Sequence, residues 1–148
     1  MTLPLGLKES SEFARDSSFL SLLLRLDGED LSRIVNRLAR RKGESPDVIV
    51  FYKSQFLRFF ALATYLNISV APNSGIDSFW HELILDTKFY RDFCNRHCGY
   101  FFHHEPFDDE TPIHIIEAAI RSDDLISKHF LAENIDSQSH SQLKCAHA

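Results

Sequence analysis

The stretch from Val48 to Leu66 is apolar on nearly every side of a helical wheel, and this limits the folds open to the chain. A helix without a polar face must be covered by other elements. Its start is well marked: Gly43 closes the preceding segment, Ser45 is placed to cap, Pro46 takes the first helical position and Asp47 lies in the first turn. These signals predict a buried central helix over 46–66. The β-branched run Val48-Ile49-Val50 would also suit a strand, but length and capping favour helix. The fold expected is all-α, a single compact bundle of five to seven helices around this one. Its hydrophobic fraction of 44%, with 13 Phe, supplies the core, while five Gly and five Pro argue against a loop-rich or all-β chain.

The other segments supply that shell. Residues 1–10 read as a loose arm, 11–133 as one helical domain, and the polar, aperiodic 134–148 as a disordered tail. Apolar spacing places helices at about 11–26 and 29–42, then from Ser74–Ile76 to Leu85, and from about Lys88 to Cys98. Tyr100–Glu105 reads as extended, since Pro106 biases Glu105 away from helix. Two more helices are expected over 112–121, with Ile113, Ile116, Ala119 and Ile120 inward, and from Asp123 to about Ala132. The second helix carries Arg33, Arg37, Arg40 and Arg41 on one side, read as a solvated face with cations near the negative end of the helix dipole.

A net charge of -5 argues against a general phosphate-binding surface, so no nucleic acid is expected as a partner. No apolar run reaches the length of a membrane span, and the N-terminus lacks a secretory pattern. Three cysteines without such a signal read as reduced thiols in a cytoplasmic protein.

Ile76–Pro106, IDSFWHELILDTKFYRDFCNRHCGYFFHHEP, holds the only Trp, two of the three Cys and four of the eight His. Imidazole and thiolate suit zinc, and imidazole with carboxylate suits iron. The first-choice ligands are His81 and His104, followed by Asp77, Cys94 and His103. Asp77 lies one turn before His81 and is placed to orient its imidazole. His103 and His104, adjacent in an extended segment, must point to opposite sides. Tyr90, Cys94 and His97 share one helical stripe, and Gly99 is the natural cap at the end. The spacing matches no standard zinc signature: Cys-x2-Cys and His-Glu-x-x-His are both missing. The competing reading is a packed corner in which Trp80 is core, Asp77 holds His81, Thr87 caps the next helix and Cys94 is a small buried residue. Cys94 with His81 or His104 is the one combination that would supply a nucleophile and a base. Cys98, His97, His114 and His129 read as surface or structural, and Cys145 and His147 as inert.

Asp77, Trp80-His81, Leu85-Asp86-Thr87, Tyr90, Cys94, Gly99 and His103-His104 with Pro106 resemble the glycine-rich domain-containing protein-like family. Its members carry an Asp-x-x-Trp-His helix, a Leu-Asp-Thr-x-x-Tyr step, a Cys, a Gly and a His-His-x-Pro element. The likeness extends loosely over 55–110, where Phe56-Leu57 and Pro72 also fit. It implies an all-helical domain, stand-alone in bacteria and a module of longer plant chains, and implies no particular reaction. Cys98 and His97 lie outside the pattern, and the chain departs from it at Phe107-Asp108-Asp109-Glu110 and in lacking a glycine-rich region.

Three functions follow as expectations. The first is a domain whose His/Asp/Cys pocket binds a divalent metal, zinc or iron, or a small ligand. The second is a non-enzymatic interaction or regulatory module with an unknown protein partner, in which the motif is a structural corner. An enzyme is the third, with no complete catalytic set legible.

Overall fold

A computed structural model describes residues 2–67, 70–104 and 113–133, apart from the His114 side chain. The expected tail over 134–148, the Phe107–Glu110 departure and Pro106 lie outside these residues. The fold is all-α. Among the described residues it comprises a short 3-10 turn at Pro4–Gly6 and six helices: α1 Ser17–Asp27, α2 Ser32–Lys42, α3 Pro46–Leu66, α4 Ser74–Leu85, α5 Thr87–His97 and α6 Ile113–His129.

Helix α3 is the axis, with the expected bounds. Ser45 accepts a hydrogen bond from the Asp47 amide at its start, and Asn67, with φ 53°, turns the chain out at its end. The 3-10 turn, α1, α2, α4 and α6 all pack against it. Phe56, at its centre, meets the rings of Phe60, Phe79, Trp80 and Phe93, so it joins α3 to both α4 and α5. Helix α1 begins later than its apolar pattern suggests: residues 12–15 form turns, and Asp16 caps the helix by accepting from the Ser18 and Phe19 amides.

The first ten residues are not a loose arm. Leu7 is buried and pairs antiparallel with Phe130 in an isolated bridge. The Lys8 amide donates to His129 O at 2.8 Å and the Leu131 amide to Gly6 O at 2.8 Å. Arg58 explains the docking. This cation, 4% exposed on an otherwise apolar part of α3, donates to Leu5 O and Leu131 O and pairs with Glu133. A buried guanidinium needs acceptors, and the two chain segments supply them.

The region expected as two helices is one, α6. Its buried stripe is Ala118, Ser122, Ile126 and His129, at unbroken helical spacing, while Ile113, Ile116 and Ile120 are exposed. Small residues let α6 approach the bundle closely; the Ala71 amide reaches Ala118 O. Asp123 does not restart a helix but accepts from the Asn73 side chain.

Gly75, in the first turn of α4, lies against the buried Tyr52 ring. A Cβ there would sit 2.7 Å from Tyr52 Cδ1 and 2.8 Å from Cε1. Overpacking of this kind costs about 1–3 kcal/mol, and the better helix propensity of alanine returns at most about 1 kcal/mol. Gly75→Ala is therefore expected to lower the denaturant midpoint without changing its slope in urea unfolding.

Candidate functional site

The motif folds into a corner made by α4, α5 and the extended segment 100–104. Trp80 and Tyr90 are both buried, and Trp80 Nε1 donates to the Tyr90 hydroxyl at 2.9 Å. That hydroxyl donates in turn to the Phe102 carbonyl. The Phe102 amide is directed at the Cys94 sulfur. Both backbone groups of one extended residue are thus taken by Tyr90 and Cys94, four apart on α5. The Phe102 ring stacks on Trp80 with centroids 4.9 Å apart and meets Phe60 edge-on. Gly99, with φ 78°, makes the turn from α5 into this segment; a left-handed conformation suits glycine.

Asp77 bonds His104, not His81. The helical wheel placed Asp77 and His81 on one edge, but 100–104 folds back along α4 and brings His104 Nε2 onto the Asp77 carboxylate. His104 also stands edge-on to Trp80, with centroids 4.7 Å apart. His81 is exposed on α4, and His103 is exposed with its ring against Phe101. Cys94 is fully buried in the corner. Of the five expected ligands, then, only Asp77 and His104 make direct contact with each other. Among the described residues no group of three or more His, Cys, Asp and Glu is arranged to hold a metal ion.

Thr87 is the first residue of α5 rather than its cap. Asp86 holds the cap position but makes no capping bond, because its carboxylate is drawn to α2. Arg37 donates to Asp86 at 3.1 Å, and Arg33 pairs with it at 3.3 Å. On the face of α2 read as solvated, Arg33, Arg37 and Arg41 clamp α4 and the start of α5, while Arg40 is exposed. Arg37 reaches Glu82 Oε2 at 2.6 Å and the Glu82 carbonyl at 2.8 Å, and Arg41 reaches Oε1 at 2.9 Å. Glu82 is 1% exposed, so its charge is tolerable only with these cations. The sequence signal was a carboxylate on the inward arc of α4, between Phe79 and Leu83, with four Arg on a neighbouring helix.

His97 is buried as well, and its Nε2 meets Glu29 Oε1 at 2.6 Å. Arg96 donates to the same oxygen at 2.9 and 2.8 Å. His97 Nδ1 has no partner and no exposure. A proton added there would be a buried donor without an acceptor. Burial accordingly pushes the imidazole below its ordinary 6.5, with Glu29 acting in the opposite direction. Burial does the same to His129, whose Nδ1 meets the Ser11 hydroxyl at 2.9 Å.

Two outcomes follow. Tyr90→Phe removes a hydroxyl on which both the Trp80 indole and the Phe102 carbonyl depend, and leaving such groups unpaired costs about 1–3 kcal/mol. Unfolding followed by the fluorescence of Trp80, the only tryptophan, reads that loss. Second, the unfolded chain takes up the His97 and His129 protons more readily than the folded one, so stability is full above pH 6.5 and declines as pH falls through that value. The decline is expected to be shallower in His97→Gln, measured by denaturant midpoints across the acid range.

Comparison with known proteins adds one relation. Residues 31–145, from the start of α2 through the whole motif and α6, match the UCP032817-like family. No curated protein and no solved structure matches the chain. With the match covering 31–145 of 148 residues, the chain belongs to the UCP032817-like family.

Proposed function

We propose that the chain is a small cytoplasmic, non-enzymatic interaction module in which the Asp77–His104 motif is a structural corner. One observation carries this reading: apart from the exposed His81 and His103, the polar groups that made the motif look chemical are bonded to one another or to the frame. Trp80 serves Tyr90, Tyr90 serves Phe102, Asp77 holds His104 and Asp86 is held by Arg33 and Arg37. Pairing of this kind fixes a shape and leaves no free base beside a nucleophile. The corner sets Phe102 inward and leaves Tyr100 and Phe101 exposed, 46% and 42%, on a segment whose backbone is pinned. Rigid aromatics displayed in this way suit contact with another protein. Among the described residues no helix is long and apolar enough to cross a membrane. The motif resembles the glycine-rich domain-containing protein-like family, stand-alone in bacteria and a module of longer chains in plants, and the second form is compatible with this reading.

A second reading, a zinc or iron site, draws on the Asp77–His104 contact, the one place where a carboxylate and an imidazole from the expected ligand set meet. Elemental analysis and unfolding of wild type, Asp77→Asn and His104→Ala separate the two. A corner predicts a folded, metal-free wild type, variants weaker by about 1 kcal/mol, and no effect of a chelator. Near-stoichiometric zinc or iron, lost in both variants, would replace the corner by a metal site.

A further inference from the structure

We propose that Cys94 and Cys98 form a reactive dithiol, which a low-molecular-weight organic disulfide converts to an intramolecular disulfide at the end of α5. The two residues are one helical turn apart, and the Cys98 amide donates to Cys94 O at 2.9 Å. The Cys98 thiol lies within hydrogen-bond reach of the Cys94 sulfur and of Tyr100 O, the latter at 3.1 Å. Cys94 is fully buried, while Cys98 is partly exposed. One sulfur of the pair can therefore meet a reagent and the other is shielded from it.

Side chains one turn apart on a helix have Cβ atoms about 5–6 Å apart, and a disulfide needs about 3.5–4.5 Å. The last turn must tighten, and the backbone there allows it. Cys98 has left the helical conformation, with φ -132°, and Gly99 follows in a left-handed turn with nothing within 4 Å of where a Cβ would stand. The surroundings also favour a sulfur anion. The Cys98 thiol, then the Phe102 amide and the Tyr90 hydroxyl, draw the Cys94 thiol down to about 6 against its burial, and the Cys98 thiol is pushed up in consequence.

The reaction balances with the organic disulfide as oxidant. The partly exposed Cys98 thiol gives up its proton and attacks one sulfur of the reagent. The reagent's S–S bond breaks, and one small thiolate leaves and is protonated. Cys94 then gives up its proton and attacks Cys98 Sγ, forming the Cys94–Cys98 bond and releasing the second small thiolate. Starting from two thiols, the pair loses two electrons and two protons, one to each small thiolate, and the reagent leaves as two thiols. Oxidation also removes the Cys98 thiol from Tyr100 O.

The test treats the full chain with glutathione disulfide, quenches it with acid, alkylates the remaining thiols and maps tryptic peptides by mass spectrometry. Trypsin cuts after Arg96, between the two cysteines, so the bond would appear as two linked peptides. The expected result is that linked pair in wild type, with no glutathione retained. In Cys94→Ser, which lacks the resolving thiol, glutathione should remain on Cys98; in Cys98→Ser, Cys94 should stay unmodified. Wild type that keeps glutathione on Cys98, links either cysteine to Cys145 instead, or leaves both thiols free overturns the proposal. Helical circular dichroism shows whether each variant is folded, and the wild-type map decides alone if one is not.

Discussion

A helix whose central stretch, Phe56–Ala63, is buried on every side has to be covered by other elements, and that requirement governs this molecule. Helix α3 carries the rings of Phe56, Phe59 and Phe60 on a backbone whose polar groups are already paired, so the rest of the chain must wrap around it. Apolar contact alone would leave the wrapping elements free to slide, because hydrophobic burial is not directional. Direction comes from a few buried polar fasteners, one at each joint of the shell. Arg58 ties the N-terminal turn to the end of α6, Arg37 and Arg41 tie α2 to α4 through Glu82, and the Tyr90 hydroxyl ties α4 and α5 to 100–104. Each is costly to leave unpaired, and that cost makes the arrangement specific.

Much of the architecture was legible because local signals marked it. Ser45-Pro46 and the all-round apolar pattern defined α3, and Tyr90, Cys94 and His97 do share one stripe of α5, although the burial of His97, read as surface or structural, was not legible. What could not be read was choice among partners distant in sequence. Spacing along α4 offered Asp77 only His81, whereas the fold supplies His104 from 27 residues further on. Thr87 looked like a cap because nothing local showed that Arg33 and Arg37 would take the Asp86 carboxylate. In α6 the larger side chains suggested an inward face, but close packing selected Ala118 and Ser122 and left three isoleucines outside. Hydrophobicity ranks residues by what they gain from burial. It does not record how much room a neighbouring helix leaves.

The crowding of rare residues in Ile76–Pro106 takes on a physical meaning from this. Three elements meet at angles where no regular ladder can satisfy the backbone of 100–104, so side chains must do so. Tyrosine reaches a carbonyl over the length of a ring, a thiol accepts from an amide in a space too small for a larger group, and tryptophan offers one directed N–H from a large apolar plate. A corner and an active site draw on the same uncommon residues, because both need directed polar atoms inside apolar surroundings.

The Arg58 guanidinium reaches the segments entering and leaving the bundle at once, through Leu5 O and Leu131 O, while Leu7 and Phe130 pair beside it. Mechanically, the helices form a loop closed by a clasp. Tension applied through the two flanking segments would load that clasp before it reached the aromatic core, so the bundle would yield first at Arg58, with α2 to α5 still packed.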